Sequence, residues 1–246
     1  MKTIAGARIT FTKADFSCFS DGQRTVLYAF AHILNKSKLL ETQVFSQWQS
    51  AMDTKHSQIE RDAALFGVFE FLLLLAGELK EGWEAIQSCY YGTGLSKTLN
   101  DQLPSNIKAI LKRLPKHFTG TSITTRLRND FAYHHSSSRI LSTANLLASD
   151  DPHIAYLFGE DNNYFDYDTK LRIAAVAELL GLSDWSKVVE QLVTTVAKEV
   201  YQDMSNTLNA ILVALVQLIK PSHEAVELSR VPSNSNLAGN YFFYVA

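Results

Sequence analysis

Residues 66–76 constrain the fold more than any other part of the sequence, because they are apolar on nearly every face of the helix that they predict. Such a helix is surrounded by protein or by lipid. The two most apolar stretches of the sequence, residues 71–76 and 208–219, are both shorter than the roughly 20 residues that cross a bilayer. We therefore predict a core helix over residues 57–76 and no membrane partner.

Glu70 and Gly77 interrupt the apolar pattern of this region. A carboxylate at position 70 either pairs with a neighbouring cation or points into a cleft, where it would support a functional site. The paired interpretation is favoured. Gly77 predicts a bend, after which the helix continues over residues 79–90.

The composition is that of an ordinary globular protein. Of the 246 residues, 46% are hydrophobic and 20% are charged, which is enough to bury a sizeable core. Cys18 and Cys89 are too few and too far apart for a disulfide framework, so we expect structural thiols. The first residues contain no apolar run of signal-peptide length, which predicts a cytoplasmic protein.

Helical periodicity predicts further helices outside the core segment. They cover about residues 21–34, 41–52, 106–114, 121–135, 140–148 and 169–180. Residues 7–12 weakly predict a strand. Two aromatic-rich runs around a turn predict a β-hairpin near residues 154–167.

A long final helix is predicted over residues 184–219, with an apolar stripe along its length. At 1.5 Å per residue it would measure roughly 50 Å, which suggests a helical partner or a dimer unless it bends near Ser205 and Asn206. The sequence predicts a chain of four parts. They are an N-terminal extension (1–20), a helical domain (21–181), a C-terminal helix packing on the bundle or on a dimer partner (182–221), and a tail (222–246).

Positive charge concentrates in one part of the sequence. The net charge of the chain is −2, yet residues 105–140 contain seven cations and a single acid, Asp130. This asymmetry is typical of a surface for an anionic partner, although a solvated basic helix would carry the same charges. The cations that would make the contact are Lys108, Lys112, Arg113, Lys116 and Arg126.

Residues 126–135 carry the clearest chemistry. The inward stripe of their predicted helix is Ile123, Leu127 and Phe131. At about 100° per residue, His134 also points inward, and Arg128 lies at the edge of that face in line with His135. The helix would therefore bring arginine and histidine to one half-buried cleft.

These side chains suit the cleavage of an RNA phosphodiester. Histidine titrates near neutral pH and acts as a general base or acid, deprotonating the 2′-OH or protonating the leaving oxygen. Arginine offers a planar, charged fork that matches phosphate oxygens. Asn129 can hold either partner, or the ribose, by hydrogen bonds. Such a reaction uses the 2′-OH, spares DNA and requires neither a metal nor another cofactor. Neighbouring histidines on a helix point about 100° apart, which is poor geometry for a metal site.

The spacing Arg128-Asn129, four residues, then His134 resembles the Arg-x(4–6)-His motif of the HEPN superfamily, in which Asn often follows the Arg. Residues 127–134 look like the branch of the superfamily associated with abortive infection and phage defence. A looser similarity includes residues 75–84 and extends over about residues 21–181. Many relatives carry an aromatic residue just after the His, whereas this chain has His135 and then three serines.

The resemblance implies a mainly α fold, a HEPN-like helical bundle that forms a homodimer, here with a small β-hairpin insertion and a long C-terminal helix. It implies a metal-independent endoribonuclease of a defence or toxin–antitoxin type, with an antitoxin or another defence protein as partner. The alternative is a non-catalytic HEPN-like module that binds RNA, nucleotides or protein.

The resemblance also assigns roles at the site. Arg128 contacts the phosphate, His134 is the general acid or base, and Asn129 supports them. Alternative or supporting residues are His135, Tyr133 and Glu70. His134 and His135 both remain candidates for the key histidine.

Overall fold

Helices dominate the computed structural model, which describes residues 3–8, 11–132, 155–158, 162–182, 185–219 and 224–229. The mainly α-helical class predicted from the sequence is confirmed. In the described residues the helices are α1 (Lys13–Cys18), α2 (Asp21–Met52), α3 (Gln58–Ala85), α4 (Leu95–Leu99), α5 (Ser105–Arg113), α6 (Ile123–Leu127), α7 (Asp166–Leu180), α8 (Trp185–Leu192) and α9 (Tyr201–Ile219).

Irregular helical turns extend several of these helices. The π-helical segments are Ile86–Tyr91 after α3, Arg128–Ala132 after α6 and Val193–Val200 after α8. The 3-10 turns are Asn100–Gln102 after α4 and Leu114–Phe118 after α5. The strands are β1 (Thr3–Arg8), β2 (Ala155–Phe158), β3 (Asn162–Phe165) and β4 (Glu224–Ser229).

The four strands in the described part of the chain form two antiparallel pairs. Strand β1 pairs with β4, and β2 pairs with β3 inside the range in which the sequence predicts a hairpin. The strand predicted over residues 7–12 instead spans Thr3–Arg8. Thr12 has a different role, because its hydroxyl accepts a hydrogen bond from the amide of Asp15 at 3.2 Å and caps α1. The helix predicted over residues 140–148 lies outside the described residues.

Helices α2 and α3 form a helical hairpin with the most extensive packing between any two elements. The sequence predicts separate helices over residues 21–34 and 41–52, but α2 runs unbroken through both. Residues 35–40 contain neither Gly nor Pro, and the hydroxyl of Ser37 donates to the carbonyl of Ile33 at 2.6 Å. A buried polar side chain is thus satisfied inside the helix, so nothing interrupts it.

Helix α3 is the core helix that the sequence predicts. Its buried apolar residues include Val68, Phe69, Leu72, Leu73, Leu75, Ala76 and Leu79. Gly77 does not end it, and α3 continues to Ala85. Burial of the residues on both sides of Gly77 outweighs the roughly 1 kcal/mol by which glycine disfavours a helix interior. Glu70 is paired, because Arg172 on α7 lies 2.6 Å from its carboxylate.

The C-terminal helix is continuous in the order α8, the Val193–Val200 segment and α9, and it packs on α2 and α3 of the same chain. The predicted apolar stripe is buried at Leu192, Val196, Val200, Met204, Leu208, Ile211 and Leu215. Ser205 and Asn206 lie within α9, so the helix does not end or break there. The departure from α geometry is instead the π-helical segment one or two turns earlier.

Gly92 ends the π-helical extension of α3 in a conformation that leaves no room for a side chain. A Cβ atom there would collide with the backbone carbonyl oxygen of Ser88, whereas a Cβ at Gly120 would meet nothing. We expect Gly92→Ala to lower the free energy of unfolding by about 1–3 kcal/mol, because backbone must shift to relieve the overlap. Gly120→Ala, the matched control, should change it by less than about 0.5 kcal/mol. Urea unfolding of both variants measures the difference, and equal midpoints would contradict the described turn.

Candidate functional site

Helix α6 and its π-helical extension present the first part of the Arg-Asn…His motif. Ser122 caps α6, since its hydroxyl accepts a hydrogen bond from the amide of Thr125 at 3.3 Å. Leu127 and Phe131 are buried and Ile123 packs against the core, which confirms the predicted inward stripe. The buried stripe fixes the segment to the bundle, so Arg128 sits at the edge of the core as the sequence predicts.

The π-helical segment Arg128–Ala132 changes one expectation about the motif. The alignment of Arg128 with His135 assumes about 100° of rotation per residue, the value of an α-helix. A π-helical turn bonds residue i to i+5 and is wider, so each residue within it rotates by a smaller angle. Within Arg128–Ala132 the rotation per residue is therefore smaller than the predicted alignment assumes. Tyr133, His134 and His135 lie outside the described residues.

Arg128 contacts α3 through its guanidinium. One terminal nitrogen, Nη2, donates to Oε1 of Glu81 at 3.2 Å, and the other, Nη1, donates to Oδ1 of Asn129 at 3.2 Å. The Arg128 side chain is 33% exposed and that of Glu81 is 49% exposed. An ion pair this accessible to water contributes only about 0–1 kcal/mol to stability. The larger effect of the ion pair is to hold the Arg128 guanidinium in one position beside α3. We call Arg128, Asn129 and Glu81 the motif site.

A second carboxylate on α3 lies one turn before Glu81 and has a different partner. Glu78 is buried, and Nζ of Lys36 on α2 lies 2.5 Å from its Oε2. A buried carboxylate must be paired, and Lys36 meets that requirement. Two acids one turn apart on α3 therefore pair with different elements. Glu78 pairs with α2, and Glu81 pairs with the π-helical segment after α6.

Helix α5 and the 3-10 turn after it carry most of the predicted cations. Lys112 and Lys116 are exposed and Lys108 is partly buried. We call Lys108, Lys112, Arg113 and Lys116 the basic surface. Arg126 is not part of it, because this half-buried residue belongs to α6, two positions before Arg128.

Arg113 is held by Asp203 on α9. Its Nε donates to Oδ2 at 2.7 Å and its Nη2 donates to Oδ1 at 2.5 Å, a bidentate arrangement. These hydrogen bonds raise the pKa of the guanidinium, so Arg113 stays charged at every pH at which the protein would be studied. Nε2 of His117 lies 3.7 Å from Oδ2 of the same carboxylate. Arg113 therefore joins α5 to α9 in addition to carrying surface charge.

The 3-10 turn after α5 and the motif site contact α3 at different residues. Phe118, at the end of the 3-10 turn, stacks on Trp83 with ring centroids 5.7 Å apart. Arg128 instead contacts Glu81, and positions 81 and 83 of a helix point about 200° apart. The structure thus brings Arg128 and Asn129 together at Glu81, while the 3-10 turn that carries Lys116 contacts both α3 and α6. Glu70, with its partner Arg172, is a further separate contact.

Glu81 and Asp203 were not identified as site residues from the sequence. Glu81 lies within residues 75–84, which share the looser similarity to the HEPN superfamily, but nothing in their pattern indicates which cation Glu81 contacts. Asp203 directly precedes Met204 of the buried stripe, and an acid beside such a stripe predicts a partner. That signal does not specify Arg113, which is distant in the sequence.

Comparison of the chain with protein-family models, with curated proteins and with solved structures finds no match. None of the described helices is long and apolar enough to cross a membrane. Within the described ranges, no three His, Cys, Asp or Glu side chains are grouped so that they could hold a metal ion.

Substitution can distinguish the role of Arg113 in joining α5 to α9 from the simple surface charge of Lys112. We expect Arg113→Ala to lower the melting temperature, because it leaves the buried carboxylate of Asp203 without its bidentate partner. Lys112→Ala removes the same charge from the adjacent exposed position and should leave the melting temperature within about 1–2 °C of the native value. Thermal unfolding followed by circular dichroism measures both. Equal losses in the two variants would contradict the joining role of Arg113.

Proposed function

We propose that this protein is a metal-independent endoribonuclease of a defence or toxin–antitoxin type. The observation that carries the proposal is the position of Arg128, a charged guanidinium at the edge of a buried helical turn, held by Glu81 and Asn129 and still 33% exposed. A charge in this place can reach an anionic ligand without being buried in the core. The resemblance of residues 128–134 to the HEPN motif supplies the reaction.

Each residue of the motif has a chemical role in the proposed reaction. Arg128 binds the non-bridging oxygens of the scissile phosphate and stabilises the charge that develops there. His134 takes the proton of the ribose 2′-OH or gives a proton to the leaving oxygen. Asn129, which already accepts a hydrogen bond from Arg128, keeps that guanidinium beside the ribose-phosphate. The products are a 2′,3′-cyclic phosphate and a free 5′-hydroxyl.

The exposed lysines of the basic surface suit the sequence-independent part of RNA binding. Lys112 and Lys116 are available to phosphates along the backbone of a longer RNA, and contacts of that kind weaken as salt rises. The proposal includes a homodimer and an antitoxin or defence partner, which rest on the resemblance alone.

RNA cleavage in EDTA is the decisive test. We expect the purified protein to cut a total-cell RNA extract or a random-sequence RNA and to leave DNA intact. Arg128→Ala should lower kcat by about 10²–10³-fold, because it removes the group that stabilises transition-state charge. His134→Ala should lower kcat by about 10²–10⁴-fold through the loss of acid–base catalysis. Gel analysis and mass spectrometry of the ends identify the products.

Two substitutions of the same residue types serve as controls. Arg61 lies on α3 twenty residues before Glu81, about 30 Å away along the helix, and His32 is exposed on α2. Arg61→Ala and His32→Ala should retain native cleavage. If the folded native protein cuts no RNA but binds it, the non-catalytic binding module becomes the better account. If it neither cuts nor binds RNA, the proposed function fails.

A further inference from the structure

Glu81 is an acid on the core helix that accepts a hydrogen bond from Arg128. It lies on α3 close to Leu79, Gly82 and Trp83, which are all buried. Packing on these neighbours holds the backbone at Glu81 in place, and the carboxylate reaches Nη2 of Arg128 from this fixed position. Arg128 itself belongs to a π-helical turn and has a long side chain with many rotamers.

We propose that Glu81 is a positioning residue for the RNA cleavage described above, and that it orients the guanidinium of Arg128 toward the scissile phosphate. This inference rests on the proposed function. The Arg128 side chain is 33% exposed while these contacts hold it, so an anionic ligand can approach the guanidinium. Two acceptors from different elements fix both the direction of the side chain and the plane of its fork.

The pair serves orientation more than stability. Both side chains keep a substantial part of their surface in water, at 33% for Arg128 and 49% for Glu81, and exposed ion pairs add little to folding. Orientation, by contrast, strongly affects a reaction in which a cation must meet developing charge, because a displacement of about 1 Å can cost about 10²-fold in rate. We therefore expect a substitution of Glu81 to lower the rate of cleavage strongly and to change the free energy of unfolding only slightly.

The same carboxylate also bears a negative charge beside the phosphate, and this predicts an opposite effect on binding. If Glu81 only competed with RNA for Arg128, its removal would tighten binding and speed cleavage. A positioning role predicts a slower chemical step instead. The sign of the change in kcat therefore separates the two roles.

Glu84 is a matched control for Glu81. It lies on the same helix, its side chain is also 49% exposed, and its partner is Lys80 at 3.6 Å instead of Arg128. Glu81→Ala and Glu84→Ala thus remove the same charge at the same exposure. Any difference between them reports the contact with Arg128.

The experiment is steady-state cleavage of a fluorescent random-sequence RNA in EDTA by the full chain. We expect Glu81→Ala to lower kcat by about 10–100-fold with KM changed by less than about 3-fold. Glu81→Gln keeps an acceptor for Nη2 and should recover at least a third of native kcat. Glu84→Ala should stay within about 2-fold of native in both constants. In an Arg128→Ala background, Glu81→Ala should have no further effect on kcat, because the group it orients is absent.

Three results would overturn the inference. One is a kcat for Glu81→Ala equal to that of Glu84→Ala, and another is a kcat above the native value. The third is an unchanged effect of Glu81→Ala in the Arg128→Ala background, which would show that Glu81 acts through another group. In all three cases the native protein still cleaves RNA, so the proposed function survives. A folded native protein without cleavage overturns both.

Discussion

The burial of α3 is the constraint on which the rest of the structure depends. This helix is apolar on almost all sides, and α2, α6, α8, α9 and the π-helical segment after α6 all pack against it. Its carboxylates then join it to particular neighbours: Glu70 to Arg172 on α7, Glu78 to Lys36 on α2, and Glu81 to Arg128. The apolar residues bring the elements together, and these pairs fix which cation of each element meets the core helix.

The sequence predicts the helical framework well where one strong periodic signal extends over several turns. The core position of residues 57–76 and the buried stripe of the C-terminal helix both follow from apolar spacing, which reflects burial directly. Helix ends and interruptions are predicted less well. Residues 35–40 separate two predicted helices, yet packing on both sides keeps α2 continuous. Local preferences of about 1 kcal/mol cannot compete with burial of whole helix faces.

At the candidate site, too, features that depend on nearby residues are predicted from the sequence, and contacts between distant residues are not. Leu127 and Phe131 predict correctly that Arg128 lies at the edge of the core. The two partners that α3 and α9 supply, Glu81 to Arg128 and Asp203 to Arg113, could not be predicted, because each contact joins residues far apart in the sequence. The π-helical turn at Arg128–Ala132 is also invisible to a periodic pattern, since the extra residue of such a turn depends on the packing of the whole segment.

The pairing of β1 with β4 has a consequence for how the molecule assembles. Thr3 lies opposite Ser229, so this small ladder closes a loop that contains almost the entire chain. Bringing the ends of so long a loop together costs conformational entropy before the hydrogen bonds of the ladder can form. Pairing of the two strands is therefore unfavourable until the helices between them are in place. The strands should therefore associate late in folding and separate early in unfolding. Their backbone amides should accordingly exchange with solvent faster than those of α3, and they would report local opening of the protein before its core is lost.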